Sequence, residues 1–201
     1  HNESGLLGLA VDPNFALNGF VYAYVTVSSS SQRVLRYTTI GDAGTNPTTI
    51  INGIPTNGIN HNGGGLCFGP DGKLYIAVGD GGSTPGSAPL TSNWRGKILR
   101  FNPDGTIPSD NPFGPANAVY TVGHRHPFRI TMRPGTSQLF AAENGTSIHD
   151  EINLLQGGSN YGWPSVEGPS SFGVTPTWTS GSAGVIAITD LLFYTGSAMP
   201  F

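Results

Sequence analysis

Charge, cysteine and long apolar runs are all scarce in this chain, and each scarcity excludes something. Only 10 % of the 201 residues are charged, with a net charge of −3, where about 25 % charged is ordinary. The nine cations are scattered singly, so there is no basic stripe for a phosphate backbone and nucleic acid is not expected as a partner. The single cysteine, Cys67, excludes a disulfide framework. It lies between Leu66 and Phe68 and reads as a small buried hydrophobe, because nothing beside it would lower a thiol pKa. No apolar run approaches the roughly 20 residues of a membrane-spanning helix. No 3.6-residue periodicity lasts three turns, so little helix is expected.

What the chain has in abundance is glycine, with 30 residues, and proline, with 16. The glycines follow no G-X-Y period, which excludes collagen. Hydrophobics at 37 % and aromatics at 10 % are too many for a disordered polar tract. The composition therefore predicts a loop-rich, mostly β chain long enough to bury a core.

A hairpin recurs three times. Leu6–Val11 and Phe20–Val25 flank Asp12-Pro13-Asn14; Leu66–Phe68 and Leu74–Val78 flank Pro70-Asp71-Gly72-Lys73; Phe128–Met132 and Leu139–Ala142 flank Pro134-Gly135-Thr136. Short β-like runs joined by Pro- and Gly-rich turns are what hairpins require. A further apolar run follows each: Val34–Tyr37, Ile98–Phe101 and Glu151–Leu155. Four short strands per roughly 60 residues are the pattern of a β-propeller blade. The fold expected is all-β, with four-stranded antiparallel blades, about three of them within 201 residues. Propellers close with four to eight blades, so residues 1–201 are expected to be part of a single propeller domain, incomplete at both ends. Further blades or partner chains would cover the open edge.

Hairpin geometry also sorts the polar residues. The turn ends carry ordinary turn formers such as Asp71-Gly72 and Asp104-Gly105. The opposite ends carry Glu3, His61, Asp80, Arg125, His126, Asn144 and Asp150, which should converge on one face. Taken singly, each has a plain reading: His61 beside glycines as a loop residue, Asp80 as a turn former, Arg125 as a counter-ion to Asp150 or Glu151, His124 and His126 as packed histidines. Trp94, Trp163 and Trp178 read as blade packing. Together, His61 and Asp80 flank one hairpin at the crowded end and make a candidate base and its orienting acid. There is no G-x-S-x-G nucleophile elbow, His124-x-His126 has no third close zinc ligand, and no G-x-G-x-x-G opens a helix. A redox role would therefore need an acceptor other than a Rossmann-bound dinucleotide.

Six ordered motifs now become recognisable, among them Ser4-Gly5-Leu6-Leu7-Gly8-Leu9-Ala10, Phe68-Gly69-Pro70-Asp71-Gly72, Gly96-Lys97-Ile98-Leu99-Arg100, Gly123-His124-Arg125-x-Pro127, Asp150-Glu151-Ile152-Asn153 and Asn160-Tyr161-Gly162-Trp163-Pro164. Over about Glu3 to Pro164 the chain resembles the glucose/sorbosone dehydrogenase family, the soluble quinoprotein aldose dehydrogenases. The resemblance implies a six-bladed propeller that uses pyrroloquinoline quinone (PQQ) and Ca²⁺ to oxidise an aldose at C1 to its lactone and passes electrons to an external acceptor. It implies His61 as the base and Asp80 as its partner. Arg125 would bond the quinone oxygens, with Glu3, His126, Asn144 and Asp150 also around the cofactor. Backbone carbonyls of Gly145 and Thr146 would hold Ca²⁺. An extracellular or periplasmic location goes with this reading.

The chain departs from the family pattern at two places. His126 stands where the family has Asn, and Asn144-Gly145-Thr146 stands where it has Gln or Glu, Gly and Pro. The latter is an N-x-Thr sequon, as Asn2-Glu3-Ser4 is an N-x-Ser one, which permits glycosylation at Asn2 and Asn144. A glycan on Asn144 would occupy the metal corner. The family's basic residues for the cofactor carboxylates would lie beyond Phe201. The competing reading is a non-catalytic extracellular structural or binding propeller module derived from this family.

Overall fold

A computed structural model of the chain describes residues 3–198, so the sequon asparagine Asn2 lies outside the described residues. Twelve strands form three four-stranded sheets. The first sheet comprises β1 (Leu6–Val11), β2 (Phe20–Ser28), β3 (Ser31–Ile40) and β4 (Ala43–Pro55). The second comprises β5 (Leu66–Phe68), β6 (Leu74–Val78), β7 (Lys97–Phe101) and β8 (Val119–Val122). The third comprises β9 (Pro127–Met132), β10 (Leu139–Glu143), β11 (Glu151–Leu154) and β12 (Trp178–Thr179). Within each sheet the strands follow in sequence and pair antiparallel. These are blades of a β-propeller. Helix is confined to single turns, of which α1 (Phe15–Asn18) is the one α-helical example among the described residues.

The expected hairpins coincide with β1–β2, β5–β6 and β9–β10. Their turns are closed locally: the Asp71 carboxylate accepts from the Lys73 amide (3.1 Å) and the Tyr75 hydroxyl (2.9 Å). Arg100 of β7 then ties this turn to the next loop, donating from Nε to Asp71 (2.9 Å) and through both terminal nitrogens to Asp110 (2.9 and 3.1 Å).

All five residues of β6 are buried, because this strand is covered on both faces. Successive side chains point to opposite faces of a sheet. Leu74, Ile76 and Val78 pack with Tyr22, Tyr24, Val34 and Ile54 of the first blade. Tyr75 and Ala77 pack with Ile130, Leu139 and Ala141 of the third. Each fully buried aliphatic side chain contributes about 1.5–3 kcal/mol, so these two seams fix how the blades sit. The other face of the first blade is bare. Leu6 is 62 % and Leu9 53 % exposed, and they line an apolar groove of about 420 Å³ with Val21, Ala23, Val25 and Tyr37.

The innermost strands touch backbone to backbone. A Cβ at Gly8 of β1 would overlap the Gly64 carbonyl oxygen leading into β5. This contact brings the segment carrying Glu3 beside the segment carrying His61.

Candidate active site

The residues expected at one end of the blades do converge there. His61 precedes β5 and Asp80 follows β6, so the hairpin brings them together: the His61 ring nitrogen Nδ1 lies 2.7 Å from Asp80 Oδ1. His61 has φ of +50°, the left-handed region uncommon for a residue with a side chain. Its carbonyl is packed so tightly against Gly79 that a Cβ there would overlap it, and it accepts from the Gly81 amide (3.3 Å).

Asp80 is 1 % exposed. Burial alone would raise its pKa, but hydrogen bonds from His61, the Gly82 amide and Trp163 outweigh it and hold the carboxyl below its usual value. The Gly82 amide donates to Oδ1 (2.7 Å) and the Trp163 indole Nε1 to Oδ2 (2.9 Å). An ionised Asp80 can only accept, so His61 carries its proton on Nδ1 and leaves Nε2 as the basic nitrogen. Among the described residues no protein group pairs with that Nε2.

His126, at the start of the third hairpin, stacks on His61 with ring centroids 4.8 Å apart and planes at 25°. Burial, reinforced by His61 and Arg125, pushes its pKa from 6.5 down to about 3, with Asp80 pulling the other way. It is therefore neutral. Its Nε2 lies 3.4 Å from Glu3 Oε2, yet both atoms are buried without a hydrogen bond. This is an approach of two unpaired polar atoms rather than an ion pair.

Arg125 closes the other side. Its backbone carbonyl accepts from the Asp80 amide (2.8 Å). Its guanidinium Nη1 donates to the carbonyls of Asn144 (3.1 Å) and Gly145 (2.6 Å), and its Cζ lies 5.6 Å from the centre of the Trp163 ring. No carboxylate pairs with it among the described residues, so the counter-ion reading through Asp150 or Glu151 does not hold. Behind it lies a small polar network. His124 Nδ1 meets Glu143 Oε2 at 2.8 Å, its Nε2 meets the Thr121 hydroxyl at 2.8 Å, and the Arg125 amide donates to Glu143 Oε1. His124 is thus a satisfied core histidine. Glu151 sits beside this network; burial and the neighbouring Glu143 push its pKa from 4.5 up to about 7.

Several expectations change. Asp150 is engaged by backbone amides: Oδ1 accepts from the Gly145 amide (2.9 Å) and Oδ2 from the amides of Ile186 (2.8 Å) and Ala187 (2.6 Å), so it anchors the loop that presents Gly145. Asn144 is 8 % exposed, with Oδ1 buried and unpartnered, and the sequon's Thr146 hydroxyl donates to Glu167 (2.6 Å). A glycan does not fit on a side chain so enclosed. Trp163, read as packing, reaches into the site with its N–H. No local pattern shows this, because its acceptor is 83 residues away.

Arg125 is a cation with donors to spare, which suits an oxygen-bearing, anionic group, while Glu3 Oε2, His126 Nε2 and Asn144 Oδ1 are buried, unpaired polar atoms, the two oxygens suited to a donor edge. Calcium fits poorly at the Gly145 carbonyl, which already accepts from the Arg125 guanidinium, and the described residues contain no group of three or more His, Cys, Asp or Glu side chains able to hold a metal ion. No helix among them is long and apolar enough to cross a membrane.

Known proteins resemble this chain in sequence and fold. The chain is 34 % identical over 197 residues to quinoprotein glucose dehydrogenase B of Acinetobacter calcoaceticus, covering 83 % of this chain and 41 % of that protein. It is 33 % identical over 175 residues to the aldose sugar dehydrogenase YliI of Escherichia coli, covering 82 % and 47 %. Among solved structures, the PQQ-bound aldose sugar dehydrogenase of Streptomyces coelicolor superposes with a TM-score of 0.82 at 37 % identity, covering 90 % of this chain and 55 % of that one. The chain therefore spans about half the length of the relatives it matches. The family model described as Glucose / Sorbosone dehydrogenase matches residues 1–200, and the chain belongs to that family.

Proposed function

We propose that the protein oxidises the C1 hydroxyl of an aldose to the lactone with PQQ and passes the electrons to an external acceptor. The observation that carries this reading is the His61–Asp80 pair, its carboxylate buried and its basic nitrogen free beside an uncompensated Arg125. When bound, PQQ supplies the hydride acceptor. Arg125 would hold its oxygens, and neutral His126, Glu3 and Asn144 would meet the remaining polar edge.

The residues then divide the work. As the C1 hydrogen leaves as hydride, His61 Nε2 takes the hydroxyl proton. General-base help of this kind contributes about 10²–10⁴-fold. Asp80 fixes the tautomer with Nδ1 protonated and stabilises the imidazolium that forms, at 2.7 Å. The Arg125 guanidinium favours negative charge building on the oxygens it faces. The remaining blades complete the site in this proposal, and the bare apolar face of the first blade is where one of them would pack. An extracellular or periplasmic location is included in the proposal.

The test is reduction of an artificial dye by the full-length protein loaded with PQQ, with aldoses as donors. Activity that disappears in His61→Ala supports the reading. A fully loaded protein that turns over no aldose refutes it and leaves a binding propeller.

A further inference from the structure

We propose that Trp163 is a positioning residue for the His61–Asp80 pair, acting through its indole N–H on the carboxylate oxygen that His61 does not use. The inference rests on the proposed function for its kinetic consequences but not for its structural ones. Packing explains a half-buried indole ring. It does not explain why the N–H ends 2.9 Å from Asp80 Oδ2.

The carboxylate shows why that bond matters. Oδ1 receives both His61 Nδ1 and the Gly82 amide, whereas the one side chain reaching Oδ2 is Trp163. The first two partners belong to the same hairpin as Asp80. With only those two, the carboxylate could turn about its own axis and exchange its oxygens. The third bond comes from a different blade and fixes the plane of the group. Trp163 is itself held by its amide, which donates to the Gly123 carbonyl (3.0 Å), the residue two before Arg125. Its ring face lies under the Arg125 guanidinium. One side chain therefore sets the base orienter through its edge and touches the cofactor-facing cation through its face, and the two functions can be removed separately. A base whose orienter swings loses the selected tautomer, and a fraction of His61 then carries its proton on Nε2, where it cannot accept another.

Trp163→Phe keeps the ring and deletes the N–H; benzothienylalanine at 163 does the same with the shape preserved, should the phenylalanine variant fold badly. Histidine ¹⁵N spectra of the intact apo-protein, at a pH where the ring is neutral, should show His61 almost wholly protonated on Nδ1 in the wild type. The Nε2-protonated form should rise at least several-fold in either variant. With PQQ bound and glucose as donor, kcat should fall about tenfold with KM within twofold, and the fall should shrink below twofold in an Asp80→Ala background. Trp163→Ala should in addition weaken PQQ binding relative to Trp163→Phe, because it also removes the surface under Arg125. An unchanged tautomer ratio, or an equal loss of kcat with and without Asp80, overturns the proposal. If no form of the protein, wild type included, oxidises a sugar, the functional reading falls while the tautomer spectra still decide the role of Trp163.

Discussion

Two buried groups of opposite behaviour make the stability of this protein a sensitive test of its site. His126 is 2 % exposed and neutral, with its pKa pushed from 6.5 to about 3. Between these values the unfolded chain binds the proton and the folded one does not, so stability is lost as pH falls below 6.5. From pH 7 to pH 5 the loss amounts to about 2 kcal/mol. Glu151 is raised from 4.5 to about 7. There the folded state holds the proton more tightly, and the same acidification contributes about 2 kcal/mol of stability. The two effects cancel, and the wild type should differ little between pH 7 and pH 5 from these sites. His126→Asn removes the loss and should gain about 2 kcal/mol on acidification, whereas Glu151→Gln should lose about the same amount. Packing costs drop out, because each variant is compared with itself. Urea unfolding of the intact protein at the two pH values, followed by tryptophan fluorescence, reads the difference directly. The reasoning is refuted if both variants track the wild type within about 0.5 kcal/mol, well under the linkage expected. If the Glu3 contact were a true ion pair, His126→Asn would give that null result.

Three further outcomes are expected. Asp80→Asn should lower kcat by about 10–150-fold, the value of one charge-assisted hydrogen bond. An amide there either turns its NH₂ against the Trp163 N–H or, flipped, against His61 Nδ1, and dye-reduction kinetics at fixed pH would show no loss if the orientation were unimportant. Chelation with EDTA should leave PQQ affinity within about threefold, because Arg125 already occupies the Gly145 carbonyl and charge-assisted hydrogen bonds to an oxygen-rich ligand are strong; a tenfold loss in a titration followed by absorbance would show that calcium displaces the guanidinium. Ile76→Ala, in the seam between the first two blades, should cost about 2–5 kcal/mol in urea unfolding, and a cost under about 1 kcal/mol would mean the seam collapses around the gap.

The blades were readable from sequence because their inner hairpins obey a short-range grammar. β5–β6 is two apolar runs around Pro70-Asp71-Gly72, and the strand limits follow from that alone. The fourth strands were not readable. Most of β4 is exposed and rich in Thr and Asn, with Pro47 in its middle, so no apolar alternation marks it; β12 has two residues. The site divides similarly. His61 and Asp80 belong to one hairpin, so their meeting could be foreseen, and the ends of neighbouring hairpins bring Arg125 and His126 to them. The three backbone amides that Asp150 accepts from leave no mark in the sequence, where a carboxylate near a site looks the same whatever it bonds. The sequon at Asn144 was likewise a local triplet whose burial is decided by the fold around it.

The glycine contacts near the axis place the tolerances of this molecule at one end. At Gly8 against Gly64, and at Gly79 against the His61 carbonyl, main chains meet with no room for a single added carbon. A side chain at either joint would wedge Glu3 away from His61, or His61 away from Asp80, before touching any catalytic atom. At the far ends of the hairpins the tips of Gly72 and Gly135 face open space. Insertions, tags or grafted loops belong there, where the chain can lengthen while the distances at the opposite pole stay as they are.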